Sequence, residues 1–216
     1  MKAIILANGL LPTPLQALPS HDLLIAADGG ARHAFQRGQG WIPHIIIGDM
    51  DSLSPSELAG YDRAGASIYQ HPADKNETDL ELALDFAIRE RATEITLYGL
   101  FGGRWDMTFA NLLLLASPKY AGVRLRIIEG DSDLYILRGG ETLTLQGQPG
   151  DIISVIALAG DASGVTYRGL TWPLENATLP FGTPHGVSNS LAKPEVTITF
   201  ETGTLLITHA QNPDTN

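Results

Sequence analysis

The sequence predicts an α/β protein of two domains, and three observations predict it. Strand-like and helix-like pieces alternate up to about residue 130, as in a parallel sheet with crossover helices. Beyond that point the chain reads as short strands broken by turns. The run Ile45-Ile46-Ile47, bounded by Pro43 and Gly48, has the β-branched character of a central strand buried on both faces. The expected architecture is a mainly parallel, Rossmann-like α/β domain over residues 1–130, then a smaller all-β sandwich domain over residues 131–210. Residues 211–216 are expected to be a flexible tail.

The first strand is expected over residues 3–7, followed by Asn8-Gly9 and a loop punctuated by Pro12, Pro14 and Pro19. A second strand over 23–27 runs into Asp28-Gly29-Gly30 and a short helix to about Arg37, with Gly38 placed to end it. The third strand, 45–47, ends in Gly48-Asp49-Met50-Asp51-Ser52. If the chain stays extended past Gly48, the period of two puts both carboxylates on the same side. Ser54-Pro55-Ser56-Glu57 supplies a complete capping box with proline at the first helical position, so neither Asp is needed as a cap. A helix over 55–63 leads to a strand over 67–69.

Asp74-Lys75-Asn76-Glu77-Thr78-Asp79 then precedes a helix to about Arg91, whose apolar stripe is Leu80, Ala83, Leu84, Ala87 and Ile88. Residues 94–98 form a strand ending in Gly99-Leu100-Phe101-Gly102-Gly103-Arg104-Trp105-Asp106. A helix over 107–116 and a strand over 123–128 close the first domain. In the second domain, strands over 135–138 and 141–145 flank Gly139-Gly140, a two-residue hairpin signal. Further strands are expected over 152–158 and 204–208. Val196, Ile198 and Phe200 alternate with Thr197 and Thr199 before a turn at Thr202-Gly203.

A length of 216 residues leaves ample material for a core, and 44% apolar with 18% charged residues is ordinary for a globular chain. Asp and Glu total 24 against 14 Lys and Arg, a net charge of −10, which argues against nucleic acid or an anionic membrane as main partner. Zero Cys removes disulfides, thiolate metal sites and cysteine nucleophiles together. No apolar run approaches a membrane span and no secretory leader is evident, so a cytoplasmic protein is expected.

What recurs is a carboxylate at or just beyond a strand end: Asp28, Asp49, Asp51, Asp79 after a loop, and Asp106. All are expected on the edge where open α/β sheets place ligands. Hard oxygen ligands suit Mg²⁺ carried by a phosphate substrate. Taken singly, each has a plain alternative. Asp28 and Asp106 fit as N-caps, and Asp79 sits behind Thr78-x-x-Glu81, itself a capping box. Gly29-Gly30 would let a ligand approach backbone N–H groups. Arg104 beside Gly102-Gly103 is placed to clamp a phosphate, and Lys75 is either a solvated charge or a second cation. The set carries the inference, since clustered carboxylates repel unless something cationic neutralises them. No P-loop, G-x-G-x-x-G, H-E-x-x-H or G-x-S-x-G is present. By pattern alone, Trp172 and Ser188-Asn189 read as a core aromatic and a polar turn.

Together these pieces resemble the thiamine pyrophosphokinase family. The matching segments are Asp28-Gly29-Gly30, Gly48-Asp49-Met50-Asp51-Ser52, residues 74–79, Gly102-Gly103-Arg104-Trp105-Asp106, Gly169-Leu170-Thr171-Trp172-Pro173-Leu174 and Ser188-Asn189. The resemblance implies transfer of the diphosphate of ATP to thiamine, giving thiamine diphosphate and AMP. It also implies a homodimer with composite active sites. By position, Asp49, Asp51 and Asp79 fall where the family binds Mg²⁺, and Arg104 and Asp106 near the reacting centre. Asp28, Gly29, Gly30, Lys75 and Thr78 fall in the nucleotide part, and Trp172, Ser188 and Asn189 in the thiamine part. Met107 stands where the family pattern leads us to expect a polar residue. Two other readings remain: a pyrophosphokinase acting on a hydroxymethyl-dihydropterin, and a nucleotide sensor without catalysis.

Overall fold

Short β-branched runs with apolar side chains on both faces need cover on both sides, and the first part of the chain provides it. The computed structural model describes residues 1–11, 15–34 and 40–212, and shows a mixed α/β fold. It divides into two units, the first comprising Met1–Leu114 and Gly122–Gly130, the second Leu115–Ala121 and Asp131–Asn216.

In the first unit, β1 (Lys2–Leu6), β2 (Leu23–Ala27), β3 (Ile45–Gly48), β4 (Ser67–Gln70), β5 (Glu94–Tyr98) and β6 (Arg124–Glu129) run parallel in the order β6-β5-β1-β2-β3-β4. Winding goes outward from β1 to β4, then resumes at β5 on the other side of β1. In open α/β sheets such a reversal marks the ligand crevice, at the carboxyl ends of the strands. Leu6 pairs with Ala26, and Ala27 with Ile47. The residues just past β1, β2 and β3 therefore emerge at one level.

Helix α1 (Ala31–Ala34) follows a 3₁₀ turn at Asp28–Gly30. The remainder of the expected helix to Arg37 and its stop at Gly38 lie outside the described residues, as do Pro12, Pro14 and residues 213–216 of the tail. Helix α2 (Pro55–Arg63) starts on the reciprocal Ser54–Glu57 capping box. Helix α3 (Asp79–Arg89) starts on Thr78 and buries Leu80, Ala83, Leu84, Phe86 and Ala87. Helix α4 (Trp105–Ala116) begins two residues earlier than expected, so Asp106 sits inside its first turn and is not the N-cap.

The second unit is built from antiparallel strands: β7 (Ser132–Arg138), β8 (Thr142–Gln146), β9 (Ile152–Ala157), β10 (Ala162–Arg168), β11 (Ala177–Leu179), β12 (Asn189–Ser190), β13 (Glu195–Thr199) and β14 (Thr204–Ala210). One set runs β12-β9-β14-β7, and a four-stranded sheet runs β11-β10-β13-β8. A single apolar cluster draws Ile153, Val155, Leu205 and Ile207 from the first set and Val165, Tyr167, Val196 and Ile198 from the second.

The hairpin expected at Gly139-Gly140 does not form. A turn is there, with Glu141 N donating to Arg138 O at 3.0 Å, but β7 pairs with β14 and β8 with β13, in different sheets. Gly139 N donates to Gly203 O and Gly140 N to Phe200 O, both at 3.0 Å. A Cβ on Gly139 would meet Glu201 O at 2.5 Å. The glycines thus serve a close crossing of two turns. Strand β10 escapes pattern reading because Gly164, at φ 68°, interrupts it where the pairing with β11 shifts register.

Among the described residues, no helix is long and apolar enough to cross a membrane.

Candidate active site

The loops that leave β2 and β3 put three carboxylates together. Oxygens of Asp28, Asp49 and Asp51 lie within 4.8 Å of one another. Asp28 is only 2% exposed, and its Oδ1 has no hydrogen-bond partner among the described residues. A buried acceptor left unpaired is costly, so this oxygen fits a cation.

The arrangement rests on unusual backbone. Asp28 has φ 44° and Met50 φ 67°, the left-handed region that non-glycine residues seldom adopt. Such outliers cost of order 1–3 kcal/mol each and cluster at functional sites. The expectation of extended chain past Gly48 is therefore corrected: a turn, not strand alternation, joins the two carboxylates. Met50 is buried with Leu53, Tyr61 and Ile46, which pulls the chain inward between the two Asp. Asp51 N then donates to Asp49 Oδ1 at 3.1 Å. Gly48 itself has φ 152°, and a Cβ there would come within 3.0 Å of Asp28 Cβ and of Asp79 Cγ. Only glycine lets Asp28 and Asp79 approach from both sides.

Asp28 is not an N-cap; it is the first residue of the 3₁₀ turn and makes no capping bond to it. Gly29 and Gly30 are also closely packed from within the chain. A Cβ on Gly29 would meet Asn8 Oδ1 at 2.3 Å, and one on Gly30 would meet Leu6 O at 2.0 Å. Their missing side chains let the turn pack against the end of β1.

Asp79, at the start of α3, is held by Lys75, whose Nζ lies 3.0 Å from Asp79 Oδ1 and 3.7 Å from Asp49 Oδ2. Burial raises the Asp79 pKa above the ordinary carboxylate value; Asp49 and Asp28 add to this and Lys75 opposes it. Burial works against the Lys75 ammonium, yet Asp79 and Asp49 outweigh it and raise its pKa. Thr78 Oγ1 accepts from Glu81 N at 3.2 Å, so its hydroxyl serves as the helix cap. Glu57 is spoken for as well: Arg32 and the Ser54 cap pull its pKa down to about 2. Helix capping therefore needs neither Asp49 nor Asp51, as the sequence implies.

Arg104 and Asp106 stand apart from this group. They pair with each other at the surface, with Arg104 Nε 3.2 Å from Asp106 Oδ1. The Arg104 guanidinium lowers the Asp106 pKa. In the second unit, Trp172 is 62% exposed, so it is not a core aromatic. Ser188 has φ 61° and receives Ser154 Oγ as acceptor for its N–H at 3.1 Å. Asn189 is buried against the Trp172 main chain.

Sequence reasoning missed Asn8. Its Nδ2 donates to Ser52 Oγ at 3.0 Å and reaches Asp28 Oδ2 at 3.5 Å, while Ser52 Oγ donates to Asp51 Oδ1 at 3.0 Å. One amide thus ties the loops after β1, β2 and β3. Its position directly beyond a strand end was the available signal, masked by attention to carboxylates. The Asn8 loop is fixed in turn by Gly9 N donating to Gly99 O at 2.7 Å and by His33 Nε2 at 2.9 Å from Gly9 O.

Comparison with known proteins identifies the family. Residues 15–127 match the thiamin pyrophosphokinase catalytic domain, and residues 141–205 the thiamin pyrophosphokinase vitamin B1 binding domain. The chain belongs to the thiamin pyrophosphokinase family. It is 29% identical over 211 residues to a thiamine pyrophosphokinase of Bacillus subtilis (strain 168), covering 96% of this chain and 98% of that protein. The crystal structure of thiamine pyrophosphokinase from Bacillus subtilis superposes with a TM-score of 0.86 at 27% identity, covering 98% of this chain and all of that one. A thiamin pyrophosphokinase structure from Geobacillus thermodenitrificans gives 0.81 at 28% identity, covering 99% of each chain.

Proposed function

We propose that this protein is a thiamine pyrophosphokinase that transfers the diphosphate of ATP to the hydroxyethyl oxygen of thiamine, releasing AMP. The oxygen–phosphorus bond formed is to the β-phosphorus, the bond broken joins that phosphorus to the α-phosphate oxygen, and the hydroxyl proton passes to a base. The observation that carries the reading is the strained carboxylate cluster of Asp28, Asp49 and Asp51, with the unpaired buried oxygen of Asp28, in a chain matching both family domains. The pterin and sensor alternatives are not favoured by the family matches.

These three carboxylates, with Asp79 beside them, would hold Mg²⁺ and so let an acidic protein accept ATP. The bound metal supplies charge neutralisation for the phosphates. Lys75 adds a fixed cation next to Asp49 and Asp79, and Arg104, released from Asp106, supplies a guanidinium for phosphate oxygens. One Asp of the group accepts the thiamine hydroxyl proton. Trp172 and Ser188 belong to the thiamine part of the site.

We place the reaction in the cytoplasm, where ATP is available, and in a homodimer with composite sites. Support for a partner copy comes from α4, whose Trp105, Phe109 and Leu113 lie one turn apart and all exposed, an apolar stripe on a helix. The finer architecture proposed is a Rossmann-like first domain and a β-sandwich second domain, supported by the parallel strand order and by the shared apolar cluster. The test is incubation with ATP, Mg²⁺ and thiamine, followed by product analysis. AMP with thiamine diphosphate is expected; ADP with thiamine monophosphate, or no turnover, would overturn the reading.

A further inference from the structure

Asn189 has almost nothing left to give a ligand. Its Oδ1 accepts from Trp172 N at 3.1 Å and from Ser190 N at 2.9 Å, and its Nδ2 donates to Trp172 O at 2.7 Å. Two donors facing one end and a carbonyl facing the other fix the amide's orientation, because a flip would oppose like groups. Both acceptor sites and one of two donor hydrogens are used. The residue is 7% exposed.

What this amide holds is the main chain of a tryptophan whose ring is mostly in solvent. A core aromatic is positioned by its neighbours; an exposed one is positioned by its backbone. The surrounding contacts converge on that backbone. Thr171 N donates to Ser190 O at 2.9 Å, the Thr171 and Ser190 hydroxyls are 2.8 Å apart, and Leu170 bridges Leu191. Pro173 restricts Trp172 to extended conformations. Strand β12, which carries Asn189, pairs through Asn189 and Ser190 with Ile153 and Ile152 of β9, so the loop is anchored to a strand that buries Ile153 and Val155.

We infer that Asn189 is a positioning residue that sets the Trp172 ring for thiamine, acting through the Trp172 main chain and not as a thiamine ligand. This rests on the function proposed above. Removing the amide leaves the Trp172 N–H and C=O without partners, so the loop shifts and thiamine binding weakens while ATP binding does not.

The test uses Asn189→Ala, Trp172→Ala and the double variant in full-length protein. Asn189→Ala is expected to raise the KM for thiamine roughly tenfold with the KM for ATP unchanged. In the Trp172→Ala background the same change should have almost no further effect. An effect that persists undiminished there would make Asn189 a direct ligand and overturn the proposal. Asn189→Asp keeps the two acceptor bonds and sets a carboxylate oxygen against Trp172 O in place of the donor, so it disturbs the same main chain and serves if the alanine variant fails to fold, with the same double-variant comparison. A second readout needs no activity. With Trp41 and Trp105 changed to Phe, Trp172 fluorescence should become more accessible to acrylamide in the Asn189 variant. Unchanged quenching in active protein would sink the anchoring alone; wild-type protein that makes no thiamine diphosphate would sink the functional reading and this role with it.

Discussion

Lys75, in the loop before α3, reaches Asp79 at the first position of that helix, with Nζ 3.0 Å from Oδ1 and both side chains largely withdrawn from solvent. Lys75 puts a positive charge beside both Asp49 and Asp79. Lys75→Met should therefore lower turnover about 100-fold, in line with the loss of one fixed charge in a phosphoryl-transfer site. It removes the influence that opposes the upward shift of the Asp79 pKa, so the acid limb of the kcat/KM profile should move to higher pH. A pH profile measured at several sub-saturating Mg²⁺ concentrations checks this. An unmoved acid limb would separate Lys75 from Asp79 in function.

Asp79→Asn distinguishes chemistry from helix capping. If Asp79 merely complemented the helix dipole, the variant would lose about 0.5–1 kcal/mol and keep its activity. The site geometry predicts the opposite: turnover falls by orders of magnitude. The linkage sign agrees. A carboxyl whose folded pKa is raised contributes stability below its unfolded pKa of about 3.8, and that contribution disappears as pH rises through the higher folded value. Asparagine mimics the protonated form, so the metal-free variant should gain in Tm relative to wild type between pH 4 and pH 7. Thermal melts at both pH values decide.

The carboxylate trio makes a related prediction about metal. Asp28→Asn, Asp49→Asn and Asp51→Asn keep side-chain size and remove one ligand charge each. All three should retain the fold and lose activity by orders of magnitude. Mg²⁺ and ATP together should raise the wild-type Tm by mass action, and this rise should be absent in the variants. Asp28→Asn should also melt higher than wild type without metal, because it removes a buried negative charge from beside Asp49 and Asp51. Near-normal activity in all three would remove the metal assignment.

How far the sequence reveals this site depends on the kind of signal. The strands before Asp28 and Asp49 were legible because short apolar runs ending in Gly or Asp report burial and a strand end within a few residues. The Ser54–Glu57 box was legible for the same local reason, and the structure contains it. The turn at Met50 was not, because its left-handed backbone depends on where a distant core accepts the methionine. At Gly29 and Gly30 the close packing of Asn8 and Leu6 was not legible, because it depends on a strand end twenty residues earlier in the chain. The Gly139-Gly140 turn was visible, whereas its two strands' partners, at β13 and β14, lie some sixty residues along the chain.

The last prediction concerns the composite site. The carboxylates belong to the first unit and Trp172 to the second, and an apolar stripe on α4 offers a surface for a second copy. If the site is completed across a two-fold interface, each dimer holds two equivalent sites, each using both chains. Take Asp51→Asn protein, nearly inactive, and Trp172→Ala protein, assayed at a thiamine concentration far below its raised KM, and let them exchange subunits. In a mixed dimer one site then combines both lesions and the other combines none. Activity should reappear, approaching a quarter of wild type at equal mixing, because half of the dimers are mixed and each carries one intact site of two. If each chain completes its own site, every site in the mixed dimer retains one lesion and activity stays at the parental level. Exchange is followed independently by mass spectrometry of differently tagged chains. Confirmed exchange without recovered activity would place the whole site within one chain.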